Sequence, residues 1–182
     1  MKYASLTLST TLRRLVILTV SLTAATALSG CSSGEEREYS LPQSLCGVSV
    51  DPDSLAPFLP PGEKVSTRKT TPNGGTQRCN VSVDGELALV AGRLWWEKKG
   101  SVVDVAAVHA QVNEGDVITG DDFLYSGTGA VGKVVGCTDP SHPDQALFTV
   151  VQVFASGRES SSTMKRLITQ YTGQVQQGSD CT

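Results

Sequence analysis

The sequence predicts an α+β domain, an antiparallel β-sheet with a short N-terminal helix, a long C-terminal helix and two disulfides. Three observations carry this expectation. Short alternating or Val-rich runs, separated by Gly, Pro and Asp, recur between residues 64 and 155. The last long segment, 160–177, has helical periodicity instead. Cys31 aside, four cysteines stand in the chain, an even count that reads as a disulfide framework in an exported protein.

The leader comes first. Lys2, Arg13 and Arg14 precede an apolar run from Leu15 to Ala27, and no acidic residue occurs before Glu35. That run has the length of a signal-peptide core and is short for a membrane span. It ends in Leu28-Ser29-Gly30-Cys31, which resembles the bacterial lipobox. The resemblance implies diacylglycerol on the Cys31 sulfur, cleavage before Cys31 and residence on the outer face of the cytoplasmic membrane. Two acyl chains anchor firmly where one is marginal. Arg13-Arg14 also fits a twin-arginine signal, but Leu12 stands where that signal has Ser or Thr, so the general secretory route is favoured.

Removing residues 1–30 leaves 152 residues, enough for one domain with a substantial core. Twelve basic residues then face eighteen acidic ones, a balance of −6. An acidic surface argues against nucleic acid as a partner, because phosphate binding needs a basic face. Residues 31–44 are polar and acidic, with Ser, Gly and Pro, and read as a tether; residues 45–182 read as the domain.

Within the domain, Asp51-Pro52-Asp53 is a helix-start signal, stopped by Pro57 and Pro60-Pro61-Gly62. Residues 64–71 and 77–83 form an expected hairpin around Pro72-Asn73-Gly74-Gly75, and Asp84-Gly85 marks the next turn. Strands are expected over 87–96, 130–137 and 146–155, the last rich in Val and Phe. Residues 101–112 alternate through Val103, Val105, Ala107 and His109 and read as a strand, although their alanines permit a helix. Residues 113–128 read as a loop. Leu167, Ile168 and Tyr171, extended by Met164 and Val175, give the final helix its apolar face, with Ser161 or Ser162 as cap.

Cys46, Cys79, Cys137 and Cys181 allow three pairings. Cys46–Cys79 with Cys137–Cys181 is favoured, because each bond then staples one half of the chain. A zinc site is the rival reading, but no C-x-x-C occurs and His109 and His142 lack zinc-motif spacing, so no metal is expected.

Leu45-Cys46-Gly47, the Cys79–Gly85 strand and turn, and the strand and helix ending in Cys137 and Cys181 together resemble uncharacterised secreted and lipid-anchored proteins of actinomycetes. The resemblance implies a two-disulfide α+β domain and carries over no catalytic residue.

Other motifs carry little chemistry. Gly127-x-Gly129-x-x-Gly132 matches a dinucleotide fingerprint but leads into a strand pattern rather than a helix, so no cofactor is expected. Gly30-Cys31-Ser32-Ser33-Gly34 matches a nucleophile elbow but straddles the cleavage site. Asp121-Asp122, and Asp139 with Asp144, are carboxylate pairs in turn-forming loops without a calcium-loop pattern. Trp95-Trp96 are the candidate partner contact. On a strand they point to opposite faces, which predicts one in the core and the other at least partly exposed, with Arg93 and Lys98 beside them. The expected function is a membrane-anchored extracytoplasmic interaction module for an envelope protein, a wall polymer or a small ligand. The alternatives are a small hydrolase assembled by the fold from Asp and His, or a ligand-binding accessory of a transporter.

Overall fold

A computed structural model describes residues 36–110, 112 and 117–181. The leader, Cys31 and residues 113–116 lie outside the described residues. Seven strands form one antiparallel sheet: β3 (Val65–Asn73), β4 (Thr76–Val83), β5 (Glu86–Glu97), β9 (Gln145–Val153), β8 (Gly129–Lys133), β7 (Phe123–Tyr125) and β6 (Ile118–Thr119), in that spatial order. The two-residue strands β1 (Ser44–Leu45) and β2 (Val48–Ser49) pair separately.

The alternation read from the sequence sets the two faces of this sheet. Cys79 lies opposite Ala91, Val81 opposite Leu89, and Ala91 opposite Val151, so these side chains share one face. Helix α3 (Ser161–Gln176) covers it with Met164, Leu167, Ile168, Tyr171 and Val175, all buried. Its cap is Ser160, whose hydroxyl accepts from the Thr163 N–H, rather than Ser161 or Ser162. The short helix α1 (Pro52–Leu55) starts where expected: the Asp51 carboxylate accepts from the Asp53 N–H and Pro52 takes the first position.

The approach of α3 to the sheet is fixed at Gly132. A Cβ there would come within 2.2 Å of Thr172 Oγ1 and 2.8 Å of Thr149 Oγ1. Those two buried hydroxyls hydrogen-bond to each other at 2.6 Å, and Thr149 donates to the Gly132 carbonyl at 3.3 Å. The missing side chain lets two polar threonines satisfy each other inside an apolar layer.

The opposite face carries a correction. Residues 102–109 are not a strand but helix α2 (Val102–His109). The Ser101 hydroxyl accepts from the Asp104 N–H, and the Asp104 carboxylate accepts from the Ser101 N–H at 2.8 Å. This capping box outweighs the two-residue alternation. Val102, Val105 and Ala106, at helical spacing, pack on Leu94, Leu124, Val131, Phe148 and Val150, while Val103 and Val108 face outward. Two further expectations shift. Part of the expected loop 113–128 pairs as β6 and β7. The strand expected over 130–137 ends at Lys133, and Gly136 adopts φ 75°, so Cys137 belongs to the following connection.

Both disulfides form the favoured pairs, Cys46–Cys79 and Cys137–Cys181. The expected tether is held to the domain from Arg37 onward. Arg37 donates to the carbonyls of Ala56 and Leu59, both at 2.8 Å, and the Tyr39 hydroxyl donates to the Pro60 carbonyl. Glu38 N–H donates to Gly62 O, and Tyr39 and Leu41 pack against the core.

Candidate functional site

The alternation of β5 sends Arg93 and Trp95 to the α3 face and Leu94 and Trp96 to the α2 face. Both tryptophans are half-buried, so each is partly exposed and neither lies wholly in the core. Each instead meets one of the chain's two histidines. Trp95 stacks on His142 with ring centroids 4.5 Å apart and planes 5° from parallel. Trp96 meets His109 edge-on at 5.2 Å and 85°.

The Trp95 side is a cleft. Helix α3 ends at Gln176, and the chain beyond it is drawn back by Cys181–Cys137, which sets Asp180 against Arg93. Asp180 Oδ2 lies 2.7 Å from Arg93 Nε, and Arg93 Nη2 donates to Gln77 Oε1 at 3.0 Å. The connection after Cys137 forms the opposite wall. The Asp139 carboxylate accepts from the Ser141 N–H at 2.8 Å and faces His142 Nδ1 at 3.1 Å. The Ser141 backbone hydrogen bond, and after it the His142 side-chain hydrogen bond, holds the Asp139 carboxyl below the usual carboxylate range. His142 N–H donates to Asp139 O, and Lys98 N–H donates to Asp144 O, so the turn is pinned at both ends. The β3–β4 turn closes the third side through Trp95 N–H on Gly75 O.

The space enclosed is about 130 Å³, lined by Thr71, Gln77, Arg93, Trp95, Asp139, His142 and neighbouring backbone. That is well below the roughly 300 Å³ at which drug-sized ligand pockets begin. It suits one side chain, or one edge of a ring. The Arg93 guanidinium is matched by Asp180, and the Asp139 carboxylate accepts from the Ser141 N–H and faces His142 Nδ1. Arg93 therefore needs no ligand charge to balance it.

The Trp96 side is tighter. His109, Arg78, Gly92 and Gln152 border a cavity of about 20 Å³, room for a water molecule. Burial, and then the charge of Arg78, pushes the His109 imidazole below its ordinary value.

The remaining sequence candidates are not brought together. Asp121 and Asp122 are exposed, and Asp144 contributes its carbonyl rather than a carboxylate pair with Asp139. Gly127–Gly132 leads into strand β8. No group of three His, Cys, Asp or Glu side chains among the described residues is placed to hold a metal. Sequence reasoning missed Gln77 and Asp180. Asp180 had one signal, its place beside a cysteine already expected to tie the helix end back. Comparison of the chain with protein-family profiles, curated proteins and solved structures finds no match.

Proposed function

We propose that this protein is a lipid-anchored, extracytoplasmic binding module, and that the Trp95–His142 cleft takes one uncharged hydroxyl- or amide-bearing group of an envelope partner. The observation that carries the reading is the cleft itself: an aromatic ring, hydrogen-bonding side chains, an arginine already paired with Asp180 and an Asp139 carboxylate already hydrogen-bonded within its own turn. Aromatic faces with neutral hydrogen-bonding groups recognise polar rings and amides without paying to desolvate an unmatched charge. The lipobox-like Leu28–Cys31 and the two disulfides support the location.

The test is binding of soluble peptidoglycan fragments, followed by tryptophan fluorescence, beside crosslinking of envelope proteins to the tagged protein in its membrane. Saturable binding or a reproducible crosslink, lost in Trp95→Ala while that variant stays folded, supports the reading. Partner capture untouched by Trp95→Ala refutes the cleft as the site.

A second reading rests on Asp139 and His142, which have the geometry of a base and its orienting carboxylate. The described lining residues include no serine or cysteine and one threonine, Thr71, so this dyad would activate water or that hydroxyl. Hydrolysis of wall fragments that disappears in His142→Ala would favour it.

A further inference from the structure

The cleft and the point where the anchoring segment joins the domain lie at opposite ends of strand β5. The chain is fastened at Arg37, which bridges to Gly62, and Gly62 sits beside the β4–β5 turn. There the Asp84 carboxylate accepts from the Glu63 and Lys64 N–H groups at 3.0 and 2.8 Å. Strand β5 leaves this turn at Glu86 and reaches Trp95 nine residues later, about 30 Å away at strand rise. The covalent path from Cys31 to Arg37 cannot exceed about 20 Å when fully extended.

From this placement we infer that the lipidated protein stands on its β4–β5 end and presents the Trp95–His142 cleft at its membrane-distal end. The partner it fits is wall polymer lying beyond the headgroups, not lipid. The inference rests on the anchor and cleft readings proposed above. The docking of Arg37 and Tyr39 is what gives it force. A tether free up to residue 44 would let the domain take any orientation, whereas a chain fixed from Arg37 leaves only a short leash at one pole. The competing posture lays the molecule on α2, whose outward Val103 and Val108 are 49% and 64% exposed.

The experiment uses the full lipidated protein in vesicles containing headgroup-dansylated lipid. Energy transfer is read from the two native tryptophans. It is compared with Ser40→Trp in a Trp95→Phe, Trp96→Phe background, because Ser40 is exposed at the anchored pole. Weak transfer from the native rings and several-fold stronger transfer from Ser40→Trp supports the upright posture. Comparable strong transfer from both overturns it and indicates the α2-down posture. Protein that fails to float with the vesicles overturns the inference through the anchor itself, a failure separable from a wrong orientation. Vesicles carrying the protein should also sediment with purified wall sacculi, and Trp95→Ala vesicles should not. Failure of wild-type vesicles to sediment, while upright, overturns the choice of wall polymer.

Discussion

Removing either disulfide should cost similar stability, yet only one removal should dismantle the cleft. Cys46–Cys79 and Cys137–Cys181 span 33 and 44 residues. The chain-entropy relation assigns each loop about 4 kcal/mol, nearly equal because the dependence on length is logarithmic. The structural consequences differ. Cys46–Cys79 fastens the β1–β2 turn to strand β4, outside the cleft walls. Cys137–Cys181 holds Asp180 on Arg93 and begins the connection that carries Asp139 and His142. The assay pairs urea unfolding of Cys46→Ser/Cys79→Ser and Cys137→Ser/Cys181→Ser with NMR of the two indole N–H resonances in the folded proteins. Both variants should lose about 4 kcal/mol, out of the 5–15 kcal/mol typical of a domain. The Trp95 resonance should move only in the Cys137→Ser/Cys181→Ser variant. An unmoved Trp95 there, or an equal shift in the other variant, would refute the argument that this bond builds the cleft.

Three further expectations follow from the packing. Gly132→Ala should destabilise by about 3 kcal/mol, the upper end for overpacking, because its Cβ collides with both buried threonines; chemical denaturation measures it. Ser101→Ala should cost about 1 kcal/mol by loss of the α2 cap and should lower hydrogen-exchange protection in α2 before the rest of the domain. His109 is held below its ordinary 6.5 by burial, so the unfolded chain takes up its proton first on acidification. Stability should therefore fall as pH drops below 6.5 toward the folded value, and His109→Phe should flatten that slope in unfolding curves taken across the same range.

Strands whose side chains alternate between core and solvent were legible, as were α3 and both disulfides, because burial writes a period into the sequence. Helix α2 was not. It is apolar on its buried and outer sides alike, so Val103, Val105, Ala107 and His109 imitate a strand, and the deciding signal was the local Ser101–Asp104 cap. Strands β6 and β7 were obscured for a different reason: they are two and three residues long, below the reach of any periodicity. Of the candidate site, Trp95 was legible from its residue type. Its partners were not, because Gln77, the Asp139–His142 turn and Asp180 come from three separate segments joined by register and by one disulfide.

His142 decides how a ligand can use Trp95. The imidazole lies parallel to the indole at 4.5 Å and occupies that face of the ring. A ligand must therefore displace His142 or bind along the shared edge of the stack. Displacement breaks an aromatic stack, about 0.5–1.5 kcal/mol, and the contact of His142 Nδ1 with the Asp139 carboxylate. The stack alone, about 0.5–1.5 kcal/mol, is a penalty of roughly two- to twelvefold in affinity. His142→Ala removes the penalty in advance. If the ligand takes the imidazole's place, this variant should bind wall fragments about two- to twelvefold more tightly than wild type in the same fluorescence titration. If the ligand binds along the edge, it should bind more weakly, through loss of a contact. Unchanged affinity in His142→Ala, with Trp95→Ala still abolishing binding, would show that the ligand reaches Trp95 without meeting His142. It would sink the view that the stacked pair is the recognition element.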